Sequence, residues 1–278
     1  MSEAKIPLAG VIGSPIEHSK SPALHGHWLQ RYGIKGHYLP MNIAHDALED
    51  CLRALPKMGF VGVNVTIPHK ETVLNIADSV TDRAALIGAA NTLTFSEDGK
   101  IYADNTDGYG FIENLKQGAP NWDPKVGPAA VLGAGGASRA VLSALLDAGV
   151  ERILLANRTK ARSEALKAEF GARISVFDWV HANTMIEEAN TVVNTTSLGM
   201  QGNAPLNVSL EGLRPDTVVT DIVYAPLETE FLKTAREAGC TTVDGLGMLL
   251  YQAAPGFERW FGQRPEVDEE LRQAVLSA

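Results

Sequence analysis

Residues 129–149, AAVLGAGGASRAVLSALLDAG, decide the fold class. Four small apolar residues suited to a buried strand run into Gly133-Ala134-Gly135-Gly136-Ala137-Ser138, and a helical apolar periodicity follows. Glycines in a strand-to-helix turn allow a tight bend and let backbone N–H groups approach a pyrophosphate, which the positive end of the helix stabilises. Against the pattern G-x-G-x-x-G, the third glycine is replaced by Ser138, still small enough for close packing of helix on strand. A dinucleotide site is the expectation.

The next strand, 153–157, ends at Asn157-Arg158-Thr159-Lys160-Ala161-Arg162. An NAD-binding chain would carry a carboxylate near this point for the adenosine ribose. Here there is none, and two guanidiniums stand ready to grip a 2′-phosphate with bidentate, charge-assisted hydrogen bonds. The predicted cofactor is therefore NADP, held by Gly133, Ala134, Gly135, Gly136 and Ala137 at the turn and by Asn157, Arg158, Thr159 and Arg162 beyond it.

Outward from this stretch, short β-rich runs alternate with amphipathic ones, which predicts an α/β chain of parallel strands joined by crossover helices. Before it, strands are read at 8–13, 37–43, 61–67, 91–95 and 100–105, with helices beginning at Ser21-Pro22 and running over 45–58. Ser21 reads as a helix N-cap and Pro22 as its first-turn proline. A Pro/Gly/Asn cluster at 118–128 marks a linker to a second, Rossmann-type unit. That unit continues with helices at 137–148, 160–170 and 229–238 and strands at 153–157, 174–177, 191–196, 218–223 and 241–245. Two further helices, 246–261 and 266–277, have no strand partners left and are expected to return to the first unit. The predicted domains are thus 1–112 plus 248–278 for substrate, and 113–247 for NADP.

The 278 residues carry 45% hydrophobic and 21% charged side chains, ordinary globular usage that excludes a disordered chain. Thirty-three acidic residues against 24 basic ones give a net charge of −9, which repels a nucleic-acid backbone. No apolar run is long enough to span a bilayer, and the start lacks a basic segment leading into an apolar one, so a cytoplasmic location without membrane association is expected. Two cysteines, Cys51 and Cys240, are too few for a disulfide framework or a zinc site, and the seven histidines form no metal-ligand pattern. No metal is predicted, and His69 reads as structural.

In the first unit, polar clusters fall at strand ends and helix starts: Ser19-Lys20-Ser21, Asn64 to Lys70, Asn91-Thr92 and Asn105-Thr106-Asp107-Gly108. Such positions line the crevice of an open α/β sheet. Lys70 stands out, because a cation near a helix start is opposed by the helix dipole. Asp107 reads equally as a cap for a helix over 108–117.

Taken together, GSPIEHSKSPALH (13–25), NVTIPHK (64–70), GAANTL (88–93), NTDGYGF (105–111), GAGGAS (133–138), NRT-x-x-R (157–162), NTTSLGM (194–200), DIVYAP (221–226) and DGLGMLLYQ (244–252) resemble the shikimate dehydrogenase family over nearly the whole chain. The resemblance implies reversible NADPH-dependent reduction of 3-dehydroshikimate to shikimate, a step toward the aromatic amino acids, in a cleft between two α/β domains. It implies that Ser19 and Ser21 hold the substrate carboxylate and that Thr66, Asn91, Asp107 and Gln252 bond the ring hydroxyls, with Tyr224 lining the same site. It implies Lys70 and Asp107 as a catalytic pair, since hydride addition creates an alkoxide that needs a proton and an adjacent cation. Thr195, Ile222, Gly245, Met248 and Leu249 would border the nicotinamide, although Met248 and Leu249 also read as ordinary helix core. Two alternatives stay open: a quinate/shikimate enzyme of relaxed cofactor choice, and a catalytically silent NADP-binding module. A homodimer is left open as well.

Overall fold

The computed structural model describes residues 6–278 and divides into two compact units. One comprises the described residues to Thr106 together with Leu250–Ala278; the other is Asp107–Leu249.

The first unit contains β1 (Leu8–Gly13), α1 (Ser21–Arg31), β2 (His37–Asn42), α2 (Leu48–Ala54), β3 (Phe60–Val65), α3 (Val73–Ile76), β4 (Ser79–Val80), α4 (Asp82–Ile87), β5 (Thr92–Phe95) and β6 (Ile101–Asp104). Its sheet runs β2-β1-β3-β5-β6-β4. The pairs of β1 with β2 and with β3 are parallel, as expected of strands separated by helices. The expectation of parallel strands fails at β5 and β6, which form an antiparallel hairpin, and β5 also runs antiparallel to β3. The reason is the connection: five residues between β5 and β6 cannot make a crossover, whereas a turn closed by Ser96 N–H donating to Lys100 O at 3.0 Å suffices.

A second correction concerns α1. Ser21 is its first residue rather than its cap; Lys20 occupies the cap position without a side-chain bond to the helix end, and Ser19 Oγ accepts from Ser21 N–H at 3.3 Å. Proline at the following position suits the first turn, where its missing N–H leaves no bond unmade.

The second unit contains α5 (Asp107–Gly118), β7 (Ala129–Leu132), α6 (Gly136–Ala148), β8 (Ile153–Asn157), α7 (Lys160–Phe170), β9 (Ile174–Asp178), α8 (Ala182–Glu188), β10 (Thr191–Asn194), β11 (Val218–Asp221), α9 (Glu230–Glu237) and β12 (Thr241–Val243). Its sheet is parallel throughout, in the order β9-β8-β7-β10-β11-β12. The chain starts at the centre, moves outward to β9, then returns past β7 to β10. This is the doubly wound order, with its switch point between β7 and β10. β7 is buried along its whole length, as a central strand covered on both faces must be. Helix α8 is a crossover not expected from the sequence; its seven residues are too few for a clear period, and it buries Ala182, Met185 and Ile186.

Two helices close the chain: α10 (Leu246–Phe261), within which the division between units falls, and α11 (Glu269–Leu276). In the first unit, Trp28, Phe257 and Trp260 are all but fully buried and form an aromatic wall with Tyr38 and His25. Gly62 in β3 makes room for it. A Cβ there would lie 2.0 Å from Trp260 Nε1, which donates to Leu93 O at 3.1 Å. Burial holds His25 neutral, its pKa pushed down to about 3.

Asp104 at the end of β6 is nearly buried and receives Arg83 (2.6 and 2.5 Å), Arg259 (2.6 Å) and Thr81 (2.9 Å), tying α4 and α10 to the strand. Burial alone would raise its pKa, but these donors outweigh burial and hold the carboxyl at about 2. The native state therefore favours the anion relative to an unfolded carboxyl of about 3.9. Stability from this site is complete above about pH 4 and is lost as pH falls toward 2. Asp104→Asn should lose roughly 2 kcal/mol in urea unfolding at neutral pH, and the gap from the parent should narrow below about pH 4. A gap of equal size at both ends of the range would count against this role.

Candidate active site

In the second unit the site is a row of strand ends. The register aligns Leu132 of β7 with Ala156 of β8 and Asn194 of β10, and Asn194 with Asp221 of β11. The residues that follow, Gly133, Asn157, Thr195 and Ile222, thus emerge side by side at the carboxyl ends of the sheet, where open α/β folds bind ligands.

Gly133 takes a φ of +111°, and a Cβ there would meet Thr195 Oγ1 at 2.7 Å, so glycine is required twice over. Thr195 is buried and donates its hydroxyl to Leu132 O at 2.8 Å, fixing the exits of β7 and β10 to each other. Gly135 stands at the N-cap of α6 with no side-chain bond, and the first turn carries no acidic residue. A Cβ on Gly135 or Gly136 would meet nothing within 4 Å, so the space beside the first turn is open. These features fit a pyrophosphate: uncapped amide donors, a positive helix end and room for close approach.

Asn157 links this turn to the basic one. Its Oδ1 accepts from Ala134 N–H at 3.2 Å, and its Nδ2 donates to Thr159 O at 2.9 Å. The Ala134 amide is therefore used within the protein. Lys160 is drawn to Asp178 at the end of β9, at 3.0 Å. Arg158 and Arg162 are exposed and have no ion pair among the described residues. Two unpaired guanidiniums beside the adenosine end of such a turn fit a 2′-phosphate.

Gly245, past β12, lies against the β11 exit: a Cβ there would be 2.4 Å from Ile222 O. Met248 and Ile222 are partly buried and pack against the core of this unit, Leu249 is half-buried, and Tyr224 is 37% exposed. Asp107 opens α5 as its first residue and is half-buried.

In the first unit a second polar cluster forms. Asn91, between α4 and β5, and Gln252, in α10, are 161 positions apart, yet Asn91 Nδ2 donates to Gln252 Oε1 at 2.9 Å. Asn91 Oδ1 accepts from Thr92 Oγ1 (2.9 Å), Thr106 N–H (2.9 Å) and Thr106 Oγ1 (3.0 Å), all buried. Both amide oxygens thus accept hydrogen bonds within the protein, which fixes the direction of the two amides relative to each other. Thr92 and Thr106 stand in the polar clusters that the sequence marks, but their part, holding the Asn91 oxygen, comes from the fold alone.

Lys70 lies in the turn after β3; its carbonyl accepts from Ala90 N–H at 2.8 Å, which sets its backbone beside Asn91. Thr66 precedes it, with N–H donating to Ile12 O at 2.9 Å. His69 is buried, with Nε2 2.8 Å from Ile43 O, a structural placement. Ser21 is buried and Ser19 half-buried at the start of α1. Asn64 in β3 accepts from Tyr38 at 2.7 Å and donates to Asn91 O at 3.1 Å, extending the cluster across the sheet.

The chain matches family models described as the shikimate dehydrogenase substrate binding domain (residues 11–93), shikimate / quinate 5-dehydrogenase (122–201) and the shikimate 5'-dehydrogenase C-terminal domain (245–276). It is 67% identical over 274 residues to a protein of Cereibacter sphaeroides named shikimate dehydrogenase (NADP(+)), covering 99% of this chain and 98% of that one. Among solved structures it is similar to the shikimate 5-dehydrogenase of Thermus thermophilus in complex with NADP(H) and shikimate, with a TM-score of 0.87, 37% identity and coverage of 98% and 99%. It is also similar to the quinate dehydrogenase of Corynebacterium glutamicum in complex with NAD, with a TM-score of 0.91, 32% identity and the same coverage. With near-complete coverage on both sides and a glycine turn, a basic strand end and an amide cluster each in place, the chain belongs to the shikimate dehydrogenase family.

Proposed function

We propose that this protein is an NADP-dependent shikimate dehydrogenase, reversibly reducing 3-dehydroshikimate to shikimate in the route to the aromatic amino acids. The observation that carries the cofactor choice is the Asn157 bridge, which joins the glycine turn to two unpaired arginines at one strand end. When bound, the reduced nicotinamide supplies the hydride. The remaining roles belong to side chains of this chain.

The 2′-phosphate falls to Arg158 and Arg162, with Thr159 alongside, and the pyrophosphate to the turn from Gly133 to Ala137. Thr195, Ile222, Gly245, Met248 and Leu249 border the nicotinamide. The Ser19 and Ser21 hydroxyls take the substrate carboxylate. Thr66, Asn91, Asp107 and Gln252 take the ring hydroxyls, and Tyr224 lines the site. Lys70 and Asp107 form the catalytic pair: between them they supply a proton and a positive charge where the carbonyl oxygen becomes an alkoxide, and Asp107 orients the Lys70 side chain. We assign residues 1–112 and 248–278 to substrate and 113–247 to NADP.

Among the described residues no helix is long and apolar enough to cross a membrane. With a net charge of −9, we assign the protein to the cytoplasm, with small molecules rather than nucleic acid as its partners. A homodimer is the oligomer to look for, read from the mass in solution.

The test is absorbance at the reduced-nicotinamide band with shikimate or quinate, each with NADP and with NAD. Shikimate-dependent reduction of NADP is the expected result. Comparable kcat/KM with quinate or NAD would replace this reading with the relaxed quinate/shikimate enzyme, and no turnover by a folded sample that binds NADPH would make it a silent module.

A further inference from the structure

Asp221 closes β11, is 1% exposed and has no ion-pair partner among the described residues. Three neutral donors hold it instead. Asn194 Nδ2 and Val223 N–H donate to Oδ1, each at 3.0 Å, and Thr229 Oγ1 donates to Oδ2 at 2.8 Å. An ion buried without a counter-charge opposes folding, so its presence calls for a gain elsewhere.

That gain lies in what the three donors belong to. Asn194 ends β10 and also holds its exit loop, donating to Leu198 O at 3.2 Å and accepting from Thr196 N–H at 3.0 Å. Val223 lies between Ile222 and Tyr224. Thr229 caps α9, accepting from Leu232 N–H at 3.3 Å. One carboxylate thus joins the β10 exit, the β11 exit and the start of α9, and Gly245 presses on the same loop from β12.

We propose that Asp221 is a positioning residue for the reaction, its carboxylate clamping the loop after β11 and so setting where Ile222 and Tyr224 stand. The inference rests on the reading that Ile222 borders the cofactor and Tyr224 the substrate. Hydrogen bonds to an ionised acceptor are roughly twice as strong as neutral ones, so the clamp is tight while the carboxylate is charged and slack when it is protonated.

The groups facing Asp221 from β10 and α9 are uncharged. Charged residues nearby on the packed elements are engaged elsewhere: Glu228 with Arg236 at 2.6 Å, Glu230 with Lys233 at 3.8 Å, and Asp244, past β12, with Leu246 N–H at 3.0 Å. Burial, only partly offset by the three donors, lifts the carboxyl to about 6. A folded pKa above the unfolded one means that the protonated form favours folding, and that the charged form, which makes the clamp, opposes it as pH rises through 6.

The test compares the unaltered protein with Asp221→Asn, which imitates the protonated acid, by fluorescence titration with NADPH and by thermal unfolding. At about pH 8 the Asn variant should bind NADPH about tenfold more weakly, and at about pH 5 the ratio should fall to near one. The 2′-phosphate itself titrates near pH 6, roughly, and cancels in that ratio. Tm at the higher pH should be equal or higher in the variant, because the buried charge is gone. A Kd ratio of one at both pH values would overturn the proposal, as would a lowered Tm that accounts for the lost affinity.

Thr229→Val supplies a second measurement, since it leaves the carboxylate but removes one donor. The pH at which affinity falls should move upward, and no movement would dissociate that fall from Asp221. Failure of the underlying reading looks different: the unaltered protein itself would not bind NADPH or oxidise shikimate.

Discussion

Lys70→Ala is expected to lower kcat on the order of 10³-fold, with a much smaller change in KM for shikimate. Hydride addition turns a neutral carbonyl oxygen into an alkoxide, so the negative charge that Lys70 answers in the proposed reaction exists only on the way to product. An interaction made chiefly in the transition state appears in kcat, while one made equally with bound substrate appears in KM. The backbone of Lys70 is held by Ala90 and leads into the Asn91 cluster, so removal of the side chain leaves the surrounding hydrogen bonds described above in place. Steady-state rates in both directions, with Asp107→Asn in parallel, read the effect. A Lys70→Ala protein that keeps the parental kcat would remove Lys70 from the chemistry altogether.

The second large effect concerns cofactor choice. Arg158→Ala should raise KM for NADPH roughly 10- to 100-fold, the range expected for losing hydrogen bonds to a charged group, while NADH is used as before. The selectivity follows from position: Arg158 is exposed just past the end of β8, and it is Asn157, not Arg158, that bonds the glycine turn. Lys160 is already spent on Asp178, so it cannot simply replace the lost charge. Initial rates over a range of each cofactor decide the matter. Equal losses with NADPH and NADH would mean that the arginine supports the turn in general rather than reading the 2′-phosphate.

How far the sequence reached is best seen at particular residues. The strand, glycine turn and helix over 129–149 were legible because each local preference there agrees with the others: small apolar residues, then glycine where φ is positive, then a helical period. The hairpin of β5 and β6 departs from the parallel pattern because five intervening residues are too few for a crossover. Helix α8 is not legible because seven residues hold too little of a helical period to stand out. Serine before proline is a common helix start and makes Ser21 read as a cap, yet the backbone begins the helix one residue earlier.

Local chemistry, then, was written in the sequence: which residues can cradle a phosphate, which can meet a second one, and which can move a proton. Those properties depend on residue type and on spacing within one turn or one strand end. What the tertiary structure decided was how such groups are oriented. Asn91 and Gln252, far apart along the chain, settle each other's amide direction only when α10 is packed against the sheet that bears Thr92. Asp221 acquires its raised pKa from burial, which donors at the end of β10 and at the cap of α9 only partly offset, and no local spacing foretells either. Orientation and acidity depend on burial and on partners, and both come into being only when distant segments exclude water together.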